Sequence, residues 1–157
     1  MGGNGSYSVS MNGVPDASRT HNEAISRIDG HKILVQKKTE TQVKIPMNSN
    51  SENPTYLCAK VDKNGNIVIS SIAEYKNHKL VNSIDLEFDK NGDYIPYSPN
   101  KKSSHSHSWS ESSSGDVGRK RHEKKNIHSI PAKYKPLIDK IVKYNKDKHK
   151  WNNEKSQ

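Results

Sequence analysis

Residues 55–75 read TYLCAKVDKNGNIVISSIAEY, two runs rich in β-branched and aromatic residues joined through Lys63-Asn64-Gly65-Asn66. Asn-Gly between two such runs is the strongest short-range hairpin signal, because a type I′ turn needs positive φ at both central residues. The stretch therefore predicts a pair of antiparallel strands. On its C-terminal side, KLVNSIDLEFD (79–89) alternates apolar and polar residues. Leu80, Ile84, Leu86 and Phe88 fall on one side and Lys79, Ser83, Asp85 and Glu87 on the other, the pattern of a strand with one buried and one wet face. Lys90-Asn91-Gly92-Asp93 makes a second turn into Tyr94-Ile95-Pro96-Tyr97, where Pro96 should end the strand or hold it at an edge. On the N-terminal side, HKILVQKK (31–38) and TQVKIP (41–46) are further short β-type runs. The middle of the chain thus predicts an antiparallel meander of five or six strands over 31–97.

Its flanks read differently. Residues 1–30 are rich in Gly, Asn and Ser without a period and are expected to be disordered. Residues 98–130 are polar, Ser- and His-rich, and are expected to form a flexible basic loop. Beyond them Tyr134, Leu137, Ile138, Ile141, Val142 and Asn145 recur at helical spacing, with Pro131 or Pro136 suited to the first turn. One face of this helix, over 131–150, can dock on the sheet while Lys140 and Lys143 lie toward the other. Residues 151–157 are expected to fray. The fold class expected is α+β: a single domain over 31–150, with the C-terminal amphipathic helix packed on the meander. Asp-Lys-Asn-Gly occurs at 62–65 and at 89–92. Each resembles the start of a calcium loop, but the sixth position holds Ile67 or Tyr94 and the twelfth Ala73 or Asn100, so both are read as turns.

Composition narrows the function classes. Hydrophobic residues make up 29% of the 157, below the usual apolar share, so one modest core is expected. No window is apolar enough to cross a bilayer. Met1-Gly2-Gly3-Asn4-Gly5-Ser6 fits a myristoylation pattern, but the basic cluster that would reinforce an anchor lies at the far end of the chain, and no membrane partner is expected. Cys58 is the only cysteine. It allows neither an internal disulfide nor a Cys-rich zinc site, and a reducing cytoplasm suits it. The net charge is +9, and residues 100–157 carry fifteen basic against six acidic side chains, so the whole excess sits in the last third. An excess placed so unevenly points to a polyanionic partner, nucleic acid first.

Within that third, residues 105–122 read HSHSWSESSSGDVGRKRH. Three chemistries fit. In metal-independent ribonucleolytic cleavage, His105, His107 and His122 would transfer protons, and Arg119, Lys120 and Arg121 would hold the phosphate. His105 and His107 would share one side of a locally extended segment, and Trp109 could stack a base. In a metal reading, His105, His107, His122 and His128 would be ligands. Their spacing matches no standard finger and no Cys or acidic cluster supports it, so no metal and no cofactor is assigned. In the recognition reading, Trp109, Arg119, Lys120, Arg121, Lys124, Lys125, Lys140 and Lys143 contact nucleic acid, RNA ahead of DNA, with marked salt dependence.

The start MGGNGSY, the run SSHSHSW and the cluster GRKRH resemble small proteins of phages and mobile elements of low-GC Gram-positive bacteria, among them toxin-like ribonucleases and inhibitors of host defence. The excess of Lys, Asn and Ile agrees with an AT-rich genome. The resemblance implies action inside a bacterial host cell. The function expected is therefore binding of nucleic acid or of a nucleoprotein complex through residues 101–150. A metal-independent ribonuclease is the alternative, and a virion-associated structural protein a third.

Overall fold

Short β-type runs separated by turn residues build a six-stranded sheet. In the computed structural model, residues 8–9, 15–16, 21–36, 45–46, 48–49, 51–61, 65–99, 101–111, 117–118 and 127–155 are described. The strands are β1 (His21–Ile28), β2 (His31–Gln36), β3 (Thr55–Val61), β4 (Ile67–Lys76), β5 (Lys79–Asp85) and β6 (His105–Ser108). They lie side by side in chain order, and β1 and β6 form the edges. One helix, α1 (Lys135–Lys155), follows a 3-10 turn at Ala132–Tyr134. The α+β architecture is the one the sequence predicts. No helix among the described residues is long and apolar enough to cross a membrane.

Four features depart from the sequence reading. First, the sheet begins ten residues earlier than expected. His21–Ile28, assigned to a disordered start, pairs with β2 through a two-residue loop at Asp29 (φ 51°) and Gly30 (φ 80°). Asp-Gly with both residues left-handed is the type I′ hairpin. Residues 8–9 also pair with 15–16. Second, the meander is broken once: β2 and β3 run parallel, with Leu34 opposite Cys58, and a parallel pair needs a longer connection than a hairpin turn. Third, the Tyr94–Tyr97 run forms no strand. It contributes a single bridge between Phe88 and Tyr94 beside the turn at 89–92. There Asp89 Oδ1 accepts from the backbone N–H groups of Asn91 and Asp93, and Gly92 sits at φ 82°. The Asp-Lys-Asn-Gly copy at 89–92 is thus a turn; in the other, Gly65 takes φ 83° and residues 62–64 lie outside the described set. Fourth, the sixth strand comes from His105–Ser108, within the segment expected to be a flexible loop, and α1 continues through Lys155 into the expected frayed tail.

Alternation along each strand sorts the apolar residues onto two faces. Ile33, Leu57, Ile72, Ile84 and Leu86 pack with Tyr134, Leu137, Ile138 and Ile141 of the helical segment. On the opposite face Leu34, Tyr56, Cys58, Ala73, Tyr75 and Leu80 form a smaller cluster, flanked by Ile45 and Trp109. Each fully buried Leu or Ile contributes about 1.5–3 kcal/mol, so the first cluster carries most of the stability. Asn145 fastens the helix to β4: its Oδ1 accepts from Ile69 N–H at 2.8 Å and its Nδ2 donates to Ile69 O at 2.9 Å. Ile69 is open to this side-chain clamp because β5 has ended, its last pair to β4 being Asp85 with Ser71. The periodicity that put Asn145 on the apolar face is thereby explained.

Candidate functional site

A β-bulge decides which residues meet on the second face. Opposite the step Glu74–Tyr75, β5 carries an extra residue, Val81, which is exposed. Its insertion turns Leu80 onto the second face, while Ile84 and Leu86 stay on the helix face. The strict alternation read along 79–89 therefore fails at Leu80. Ser83 and Asp85, expected on a wet face, instead point into the polar part of the second face. Ser83 is fully buried.

β6 completes this patch. His105 lies opposite Asp85 and His107 opposite Ser83, and with a two-residue period both imidazoles project to the same side. Ser106, between them, is buried and faces the other way. Its backbone N–H and C=O bridge to His128, and its Oγ donates to Ser129 O at 3.1 Å. The histidines converge on one carboxylate: Asp85 Oδ2 is 3.0 Å from His107 Nε2 and 3.4 Å from His105 Nε2. The two rings meet edge to face with centroids 4.6 Å apart. His105 Nδ1 lies 2.8 Å from Ser103 O. A carbonyl can only accept, so Nδ1 carries the proton and Nε2 is the nitrogen turned to Asp85. The other carboxylate oxygen, Oδ1, is 3.3 Å from the hydroxyl of buried Ser71, which also lies 2.9 Å from Ile84 O.

Electrostatics follow from this packing. Burial alone would raise the Asp85 carboxyl, but hydrogen bonds from His105 and His107 outweigh it and hold the group well below the usual carboxylate range. His105 is shifted upward, chiefly by its bond to Asp85 and against the opposing effect of burial. Burial, with Asp85 adding to it, pushes the Cys58 thiol up to about 12, which removes it as a nucleophile. The His107 side chain is 0% exposed, against 16% for His105 and 28% for Asp85. Of the three side chains, Asp85 is the most exposed, while His105 Nε2 itself is buried.

Sequence-predicted residues are distributed unevenly around this patch. His105 and His107 come together as expected. Trp109 lies beside them but is half-buried against the second apolar cluster, with its Nε1–H donating to Ser83 Oγ at 2.8 Å. It braces the site from within, where an exposed stacking platform was expected. Lys140 pairs with Asp29 at 2.6 Å across to the β1–β2 turn, so this expected nucleic-acid contact also ties the helix to the sheet edge. Lys143 is exposed on α1. His122, Arg119, Lys120, Arg121, Lys124 and Lys125 lie outside the described residues. His128 is exposed and meets β6 through its backbone, which bridges to Ser106 and accepts from the Ser106 hydroxyl.

Sequence reasoning missed Asp85, Ser71 and Ser83. The signal for Asp85 was present as a polar residue at strand spacing, but nothing local revealed that a later strand would cover it with histidines. Asp85, His105 and His107 each offer a donor atom within 4.8 Å of the others, the one such trio among the described residues. This arrangement can hold a proton between a carboxylate and an imidazole, or collect a cation. No family model, curated protein or solved structure matches the chain.

Proposed function

We propose that the protein binds nucleic acid, or a nucleoprotein complex, through its C-terminal third, with the segment between Trp109 and His128 as the principal contact. The observation that supports this reading is how that segment is anchored. It leaves β6 at Trp109, whose N–H donates to Val81 O at 3.0 Å, and it returns to β6 at His128, which bridges to Ser106. Val117–Gly118 pairs with Ser110–Glu111 on the way. Arg119, Lys120, Arg121, Lys124 and Lys125 all fall between Gly118 and His128, so the densest run of positive charge is tethered at both ends to the sheet. A tethered cationic segment costs less ordering entropy on meeting a phosphate backbone than a free tail would. Lys143 adds an exposed cation from α1. The resemblance to mobile-element proteins makes a host nucleoprotein machine the expected target.

Gel retardation of labelled RNA and duplex DNA by the full chain in EDTA tests the proposal. Retardation at about 50 mM salt should weaken by orders of magnitude toward about 200 mM. Changing Arg119, Lys120 and Arg121 together to Ala should weaken it at least 10-fold. No retardation in dilute buffer, or an unaffected triple variant, overturns the proposal.

The convergence of His105 and His107 on Asp85 favours a second reading, metal-independent ribonuclease. His105 would exchange the proton, with Asp85 holding its charge and His107 positioning Asp85. RNA cut in EDTA by the wild-type chain and left intact by His105→Ala would establish it.

A further inference from the structure

We propose that Asp85 Oδ2, His105 Nε2 and His107 Nε2 bind one divalent transition metal ion of the zinc class. Four ligand bonds of about 2.0–2.2 Å in a tetrahedral array set neighbouring donor atoms about 3.3 Å apart. The two separations from Asp85 Oδ2 are 3.0 and 3.4 Å, and all three donors lie within 4.8 Å of one another. Small side-chain adjustments suffice to place an ion among them. Two imidazoles and a carboxylate form a donor set of borderline hardness, which selects zinc-like ions over calcium or magnesium.

The groups behind the donors support the same assignment. A metal-binding histidine ordinarily donates its second ring N–H to a carbonyl or carboxylate, which fixes its tautomer and its aim. His105 does this through Nδ1 to Ser103 O at 2.8 Å. Asp85 is steadied by the Ser71 hydroxyl at Oδ1, which leaves Oδ2 as the donor atom. His107 and Ser71 are fully buried and fix the floor of the site, while Asp85 and His105 keep partial exposure. Three protein ligands leave a fourth coordination position to a non-protein group, whereas structural sites close with four. The ligands come from neighbouring strands β5 and β6, so backbone pairing holds their spacing before any ion arrives.

This inference does not rest on nucleic-acid binding: metal uptake and RNA retardation are separate measurements that fail separately. Isothermal titration of the full chain with zinc chloride, together with the visible spectrum of the cobalt(II)-loaded chain, tests it. One equivalent of zinc should bind, and cobalt(II) should give the intense visible absorption of a four-coordinate N/O site. Asp85→Asn and His105→Ala, both at partly exposed positions, should bind zinc at least 100-fold more weakly while keeping the wild-type far-UV circular dichroism. His122→Ala and His128→Ala should bind as wild type does. Zinc should also raise the melting temperature of the wild-type chain and leave that of Asp85→Asn unchanged. Absence of saturable one-to-one uptake by the wild-type chain overturns the proposal. So does undiminished affinity in folded Asp85→Asn and His105→Ala, or loss of the ion in the His122 and His128 variants.

Discussion

At the scale of single residues, Asp85 is the pivot of the second face. A half-buried carboxylate is costly unless charge-assisted bonds compensate, and His105, His107 and Ser71 supply them from three directions. Cys58 lies two strands away in the same row, opposite Ser71, and is fully buried. With its thiol pushed up to about 12, it should not react with Ellman's reagent at pH 8 while the chain is folded, and it should react within seconds in guanidinium. Rapid labelling of the folded protein would show that this face opens. Trp109 offers a second residue-scale check. Phe at position 109 keeps the ring but loses the bond to the Ser83 hydroxyl, which leaves a buried polar atom unpaired. Trp109→Phe should cost about 1–3 kcal/mol in urea unfolding, and Ser83→Ala in the same background should add little further.

At the scale of elements, irregularities in pairing do more than the regular ladders. The extra residue Ser70 in β4, opposite the step Cys58–Ala59, and Val81 in β5 are bulges, and each re-aims the side chains that follow it. Val81 carries Leu80 and Asp85 onto one face. Near the Ser70 bulge, β4 loses its β5 partner, and Asn145 replaces it with two hydrogen bonds to Ile69. Asn145→Ala would strand a buried N–H and C=O together, so it should destabilise the fold by about 2–4 kcal/mol. Asn145→Asp keeps the acceptor but sets a buried carboxylate oxygen against Ile69 O, so it should also fall below wild type. Equal stability of all three chains would show that the helix does not depend on this clamp. The β1–β2 hairpin turns on Gly30 at φ 80°, where an added Cβ meets no atom within 4 Å. Gly30→Ala should therefore cost only the left-handed backbone penalty, about 1–2 kcal/mol.

At the scale of the whole molecule, charge is arranged in two ways. On the helix the lysines are partly matched by acids: Lys140 with Asp29, Lys146 with Asp93 and Lys135 with Asp139. Such exposed pairs contribute little stability, and they moderate the positive field of the described helix face. The rest of the excess is densest in the run 119–125. Stability should respond to alkali more than an ordinary surface would. Cys58 is raised first by burial; Tyr134 is raised first by burial and then by its hydrogen bond to Glu74. Both groups keep their protons in the folded chain at a pH where the unfolded chain releases them. Their stabilisation is complete below pH 9, near the thiol's ordinary 9.0, and declines as pH rises above it. Urea midpoints should fall between pH 8 and pH 10.5, and Cys58→Ala should flatten the fall between pH 9 and pH 10. An identical slope in the variant would show that burial does not hold the thiol protonated.

Local patterns settled part of this protein. Asn64-Gly65 between β-rich runs, the helical spacing from Tyr134 to Asn145, and the two-residue spacing of His105 and His107 each specified structure through neighbours in the chain. Backbone preference and periodicity act over a few residues, so these features are written in the sequence itself. The Asp29-Gly30 hairpin was equally legible, but the polar residues before it concealed a strand. What only the tertiary structure decided depends on partners far apart in sequence. The parallel match of β2 with β3 joins strands separated by residues 37–54, and β6 docks on β5 across the nineteen intervening residues 86–104. The bulge at Val81 puts Leu80 on the same face as Asp85, and β6 covers Asp85 there. A carboxylate on a strand becomes a site only when another strand brings histidines over it, and no local periodicity encodes that meeting.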